Sequence, residues 1–268
     1  IMHHPRYALK LFQKGLFQTD NAKSMHAQLR RLLKPCADLG SAMKVVRKFR
    51  HQKLLKILMR FHLEQASFQE HLLELSDLAD VLIKAALYWS HQDCLKRYGQ
   101  PYDDFAKPLK MVVIALGKLG GRELNFSSDV DLILSYPRDG LLDNGMTYQQ
   151  FFLNQARLLI RLLQEATEDG FVYRVDLRLR PFGESGPLVH SFRALELYYQ
   201  NQGRDWERYA LVKARIISGY KSDRRQIKEL IRPFVYRKYL DFTAFHALNE
   251  MRVKVQEEVT KKNLKQHL

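Results

Sequence analysis

The 268-residue sequence predicts an α+β fold: an N-terminal helical region, a core built on a small mixed sheet flanked by helices, and C-terminal helices. Three observations carry this expectation. Helical periodicity fills residues 1 to about 105. A continuous apolar run at 111–116 and two alternating runs at 129–136 and 171–180 then read as strands. Helical spacing returns after residue 190. The expected divisions are 1–105, 106–220 and 221–268.

The elements follow in chain order. Phe68, Leu72, Leu75, Ala79, Leu82, Ala86 and Trp89 recur at alternating steps of four and three, the single apolar face of a long amphipathic helix. Ser67 with Glu70 is a capping-box start. Upstream, Val46, Phe49, Leu54, Leu55, Ile57 and Leu58 indicate another helix whose remaining face is basic. Both stripes read as core. Gly99, Pro101 and Pro108 break the chain. The run 111–116 suits a strand covered on both faces. Gly117-Lys118-Leu119-Gly120-Gly121 reads as a turn permitting close backbone approach. In 129–136, Val130, Leu132 and Leu134 point one way and Asp129 and Asp131 the other, until Pro137 and Asp139-Gly140 end the strand. Phe152, Ala156, Leu159, Leu163 and Ala166 mark a helix closed by Gly170. In 171–180, Phe171, Tyr173, Val175, Leu177 and Leu179 face a core, while Arg174, Asp176, Arg178 and Arg180 face away. Further helices are expected at 191–201, 204–217, 223–239 and 242–264.

A composition of 46% hydrophobic and 27% charged residues supports a substantial core and excludes wholesale disorder. The longest apolar run is far short of the ~18 residues of a membrane span, and no cleavable leader pattern opens the chain, so no membrane partner is expected. Cys36 and Cys94 cannot make a disulfide framework and have no metal-type neighbours, which points to a cytoplasmic home. A chain opening on Ile1 reads as a piece of a longer polypeptide. The net charge is +15, of which +12 lies in residues 1–60, where 14 Lys/Arg face only Asp20 and Asp38. Such a lobe attracts nucleic acid, an acidic protein or an anionic substrate, or is a solvated helical surface.

Asp129 and Asp131 share one face of a strand because side chains alternate. Asp176 lies 45 positions later on the polar face of a second strand. If the strands are neighbours, three carboxylates converge. At ~5 Å and an effective dielectric near 20, each charged pair costs about 3 kcal/mol. Without Cys or His nearby, the expected neutraliser is a hard divalent cation on oxygen ligands, magnesium where phosphates complete its shell. The alternative is a pair of aspartates flanking a turn. Gly120 and Gly121 lie just upstream, where backbone can approach phosphate oxygens, and Ser127 and Ser128 add hydroxyls. Neither a Walker loop nor a dinucleotide fingerprint is present. Arg178 and Arg180 share the face of Asp176, placing them to grip phosphate or to pair with the acidic groups.

A strand, a Gly-Gly turn, Asp-x-Asp on the next strand and a third Asp on a later one resembles the DNA polymerase β-like nucleotidyltransferase core. Three longer blocks, GKLGGRELNFSSDVD (117–131), RVDLRLRPFGESGPLV (174–189) and GRDWERYALVKAR (203–215), resemble the glutamine synthetase adenylyltransferase and adenylyl-removing enzyme family. The resemblance implies that Asp129, Asp131 and Asp176 are catalytic and hold Mg2+, two ions in all. It assigns Gly120, Gly121 and Ser127 to the nucleotide-phosphate turn, and places Arg178, Arg180, Glu207 and Arg208 in family motifs.

The wording NFSSD, FGESGP and GRDWER is similar to the N-terminal, adenylyl-removing half of that family. A single Asp-x-Asp core, followed by an end on a helix, resembles that half truncated. The implied reaction is phosphorolysis of adenylyl-O-tyrosine on glutamine synthetase, giving ADP and reactivated enzyme. The implied partners are adenylylated glutamine synthetase, a PII signalling protein, the second, adenylylating half of a longer chain, phosphate and ADP. The alternative reading has the same site attaching AMP from ATP to that tyrosine. An RNA nucleotidyltransferase is disfavoured by the three blocks, and with it nucleic acid as a partner. A binding module with a dead site is disfavoured by the intact carboxylates.

Overall fold

The computed structural model describes residues 19–236; the helix expected at 242–264 and the end of the one expected at 223–239 lie outside them. The N-terminal lobe comprises α1 (Ala22–Leu33), α2 (Leu39–His62) and α3 (Phe68–Tyr98). The capping box is formed: the Glu70 N–H donates to Ser67 Oγ at 3.3 Å, and the Ser67 N–H donates to Glu70 Oε2 at 2.7 Å. The single-face expectation for this helix needs correcting. Leu78, Ala79, Val81, Leu82, Ile83, Ala85 and Ala86 bury most of its circumference, while Phe68 is exposed. The reason is its central place: α1, α2 and α5 (Tyr148–Gln164) all pack on it.

Part of the basic charge is absorbed by the fold. Lys53 and Lys56 share Asp20. Arg47 is wholly buried and donates to the carbonyls of Leu162, Glu165 and Gly170 at the end of α5 and in the turn after it.

The sheet joins β1 (Val112–Ala115), β2 (Val130–Tyr136), β3 (Val175–Asp176), β4 (Val189–Ser191) and β5 (Arg215–Ile216). β1 lies antiparallel to both β2 and β5. β3 and β4 both run parallel to β2, one beside its start and the other beside its end. The mixed sheet with flanking helices is the architecture the sequence implies. As a strand covered on both faces must, β1 alternates between two cores: Val113 and Ala115 join the helical lobe, and Val112 and Ile114 join the opposite layer. That second layer is α6 (Phe192–Asn201), α7 (Asp205–Val212) and α8 (Lys221–Val235).

Three expected elements differ. The strand expected over 171–180 pairs only at Val175 and Asp176. The N–H groups of Val172 and Tyr173 both donate to Leu163 O, laying that stretch over the end of α5. Beyond it, Asp176 accepts the N–H of Arg178 at 2.8 Å and turns the chain out of the ladder. The helix expected at 204–217 stops at Val212, and Arg215–Ile216 pairs with β1 instead. The helix of 152–166 starts earlier, at Tyr148 behind a Thr147/Gln150 capping box, and leaves Ala166 exposed beyond its end.

His190 on β4 is buried, and its Nε2 finds no hydrogen-bond partner. Burial, reinforced by the nearby Arg180 charge, lowers its pKa to about 4. Its folded value lies below its unfolded one. Its contribution is therefore complete above pH ~6.5 and is lost as pH falls through the window down to about 4. Urea denaturation at pH 7 and pH 4.5 should show the wild type losing about 2–3 kcal/mol more than His190→Gln; equal losses would refute this assignment.

Candidate active site

β2 and β3 pair over two positions, Val130 with Val175 and Asp131 with Asp176. Register partners share a face across the ~4.8 Å strand spacing, so two carboxylates stand side by side. Asp129 lies one residue before β2, on the side of Asp131, and is exposed. The electrostatics differ between the partners. Burial, then the charges of Asp176 and Asp129, raise the Asp131 carboxyl above its ordinary value. Asp176 is lowered, first by its side-chain hydrogen bond from Arg178. Arg178 Nε lies 2.9 Å from Asp176 Oδ2, and Arg174 pairs with Asp129.

The turn that carries Asp131's neighbour is α4 (Gly117–Gly120), a single helical turn. Gly117 has φ +53°, and a Cβ there would collide with the Asp131 carboxylate. Gly120 is equally confined: a Cβ would meet the carbonyls of Lys213 and Ala115. The N–H groups of Gly120 and Gly121 donate to Leu116 O and Gly117 O, at 2.8 and 3.1 Å. These glycines serve close packing within the turn. Ser127 offers its carbonyl to Arg174, and the Ser128 hydroxyl bonds Asn125.

The helical lobe holds this turn from behind. Arg215 on β5 makes a two-point contact with Asp80 of α3 at 2.6 and 2.9 Å. The same guanidinium donates to Leu119 O at 2.8 Å and Gly120 O at 3.3 Å. Ser76 accepts the Leu124 N–H at 3.1 Å, and Asp77 pairs with Arg122 at 2.8 Å.

An open cleft of about 650 Å³ runs past the carboxylates, with Asp129, Arg174, Asp176 and Arg178 on one side and Arg157 of α5 on its lining. Arg180 reaches this lining too, yet its donors are taken by the carbonyls of Leu177, Glu184, Gly186 and Pro187. It shapes the 182–188 loop. Glu207 and Arg208 sit apart: Glu207 is buried and accepts the Tyr198 hydroxyl, and Arg208 donates to Phe234 O.

The adjacent Asp131 and Asp176 carboxylates, with Asp129 close by, offer hard oxygen donors of the kind a divalent cation takes. Among the described residues, however, no group of three or more His, Cys, Asp or Glu side chains is arranged to hold a metal. The expected trio is present as one matched pair, Asp131 and Asp176, with the Asp129 and Asp176 carboxylates engaged by Arg174 and Arg178.

Comparison with known proteins gives the context. The family model described as glutamate-ammonia ligase adenylyltransferase matches residues 1–230. The chain belongs to the glutamate-ammonia ligase adenylyltransferase family. Relatives named bifunctional glutamine synthetase adenylyltransferase/adenylyl-removing enzyme include those of Shewanella woodyi and Shewanella oneidensis. They are 43% and 44% identical over 98% and 97% of this chain, each alignment spanning 28% of the relative. The counterpart of Mannheimia haemolytica is 47% identical over 82% of the chain and 24% of the relative. The chain thus spans about 28% of the length of such relatives.

Family membership corrects the expectation that this is the adenylyl-removing half. The matching model is that of the adenylyltransferase, and the relatives' names do not assign removal to the matched stretch. The phosphorylase and deadenylylation readings fall with it. The physical reason is that the same carboxylates serve either direction, so local wording around them does not encode it. The sequence placed Gly117 in a close-approach turn without linking it to Asp131, and Arg157 and the Asp80–Arg215 pair went unread. Only the placement of Arg157, four residues before Arg161 on the polar face of a helix, was a usable signal.

Gly117 and Gly145 both have positive φ, but a Cβ at Gly145 meets nothing within 4 Å. Gly145→Ala should cost about 1 kcal/mol of backbone strain. Gly117→Ala should cost at least about 1 kcal/mol more in urea denaturation, and Asp131→Ala in the same chain should abolish that excess. Equal costs at the two glycines would contradict the contact.

Proposed function

We propose that the chain catalyses adenylyl transfer, attaching AMP from ATP to a tyrosine of glutamine synthetase. The observation that supports this most is the in-register pair of Asp131 and Asp176 at the edge of an arginine-lined cleft, in a member of this family. In the reaction, the tyrosine oxygen bonds to the α-phosphorus of ATP, pyrophosphate leaves and the phenol's proton passes to solvent. The obstacle is bringing an electron-rich oxygen onto an already anionic phosphate.

Asp131 and Asp176, joined by Asp129, are the residues that would hold divalent cations, magnesium in two positions. Such ions, when bound, neutralise phosphate charge and stabilise the leaving pyrophosphate. Asp131 can take part because Gly117 leaves its carboxylate room. Arg178 keeps Asp176 charged and oriented, Arg174 pairs with Asp129, and either guanidinium can turn from its carboxylate to a phosphate oxygen. Gly120 and Gly121 keep the turn close against β5 and the chain before it. Arg180 keeps the loop beyond β3 in shape.

Glutamine synthetase, a PII-type regulator and the remainder of a longer polypeptide belong to this proposal as partners. So does a cytoplasmic location, to which the two free cysteines are suited. Among the described residues no helix is long and apolar enough to cross a membrane.

The test is transfer of label from α-labelled ATP to glutamine synthetase in the presence of magnesium. The wild type should label the protein, and folded Asp131→Asn should lose at least about a hundredfold in turnover. No incorporation, or an Asp131→Asn variant as active as the wild type, would overturn the proposal. So would release of ADP from adenylylated glutamine synthetase and phosphate without any incorporation.

A further inference from the structure

Five arginines line the cleft: Arg157, Arg161, Arg174, Arg178 and Arg180. Four of them are engaged. Arg161 pairs with Glu165 at 2.9 Å, Arg174 with Asp129, and Arg178 with Asp176; Arg180 is spent on loop carbonyls. Arg157 is exposed, and its guanidinium makes no hydrogen bond or ion pair among the described residues.

Its position is set by α5. Gln164, on the last turn of that helix, accepts the Val175 N–H at 3.2 Å, which fastens the helix end beside Asp176. Arg157, Arg161 and Gln164 follow one another at steps of four and three, so they form one stripe facing the cleft. Seven residues at 1.5 Å each place Arg157 about 10 Å along the helix from Gln164. Asp176 and Arg157 line the same cleft, so a polyphosphate whose α-phosphate is held beside Asp176 through a divalent cation would run its terminal phosphates along this stripe toward Arg157. A guanidinium with all its donors unspent is suited to forked contacts with phosphate oxygens.

We propose that Arg157 binds the terminal phosphates of a nucleoside triphosphate lying along the cleft, and so selects triphosphate over monophosphate. This rests on the adenylyl-transfer reading for the identity of the nucleotide, but not for the anion site itself.

The experiment is calorimetric binding of tripolyphosphate, ATP and AMP, with magnesium, to the wild type, Arg157→Ala, Arg157→Lys and the remote surface control Arg193→Ala. Arg157→Ala should weaken tripolyphosphate and ATP about tenfold or more and leave AMP unchanged. Arg157→Lys should fall between, because a point charge keeps attraction without the fork, and Arg193→Ala should match the wild type. Since Arg157 is exposed and makes no hydrogen bond or ion pair among the described residues, folding is checked directly by thermal denaturation of each variant. Unchanged ATP affinity in Arg157→Ala would overturn the inference, as would equal loss of AMP, equal loss in Arg193→Ala, or failure of the wild type to bind tripolyphosphate. A wild type that binds ATP through Arg157 yet transfers no AMP leaves this inference standing and removes the functional proposal. Transfer that depends on Asp131 with no effect at Arg157 does the reverse.

Discussion

Two residue pairs of parallel ladder govern this molecule. The pairing of β2 with β3 sets Asp131 against Asp176 and brings Asp129 close behind. Like charges at such spacing repel by roughly 3 kcal/mol per pair at an effective dielectric near 20. A two-residue strand supplies little of its own to resist that. The arrangement persists because β2 is held on its other edge by β1 and further along by β4, while Arg174 and Arg178 offset charge from the open side. The raised Asp131 carboxyl and the lowered Asp176 carboxyl are consequences of that asymmetry: one is half-buried beside two acids, the other gripped by a guanidinium.

The helical lobe contributes to the site through polar contacts that cross the apparent boundary near residue 105. α3 presents Ser76, Asp77 and Asp80 to the glycine turn and its exit, and Arg47 of α2 holds the end of α5 and the turn leading toward β3. Both strands that carry the carboxylates are thereby braced from the same side. One apolar cluster runs from Met25 through Trp89 and Leu132 to Ile217, so the brace is continuous with the core. A partly buried two-point Asp–Arg pair is costly to desolvate, and its value here is in fixing a position, since the same arginine satisfies two carbonyls of the turn.

What was legible in the sequence was local. The Ser67/Glu70 capping box and the buried strand within 111–116 depend on neighbours a few residues apart, and each is found. β4 and β5, at three and two residues, are too short to carry a period. The apparent strand over 171–180 alternates well, yet Leu163 O and the Asp176 carboxylate capture its backbone. Asp80 and Arg215 are 135 positions apart, and nothing around either announces the other. The role of Gly117 needs its φ and the place of Asp131 together. The donors of Arg180, on the polar face in the alternating pattern, are consumed by a loop whose course the pattern does not describe. Direction of transfer was misread because motif wording was made to decide what carboxylate geometry leaves symmetric.

The claim on which the account turns is that the paired aspartates form a cation site completed by nucleotide. Manganese binding followed by electron paramagnetic resonance, with and without ATP, addresses it directly. The account predicts binding strengthened by ATP, weakened about tenfold or more in Asp176→Asn, and unaffected in the exposed-loop variant Asp143→Asn. Manganese affinity that is the same in wild type and Asp176→Asn, in the presence of ATP, would contradict it.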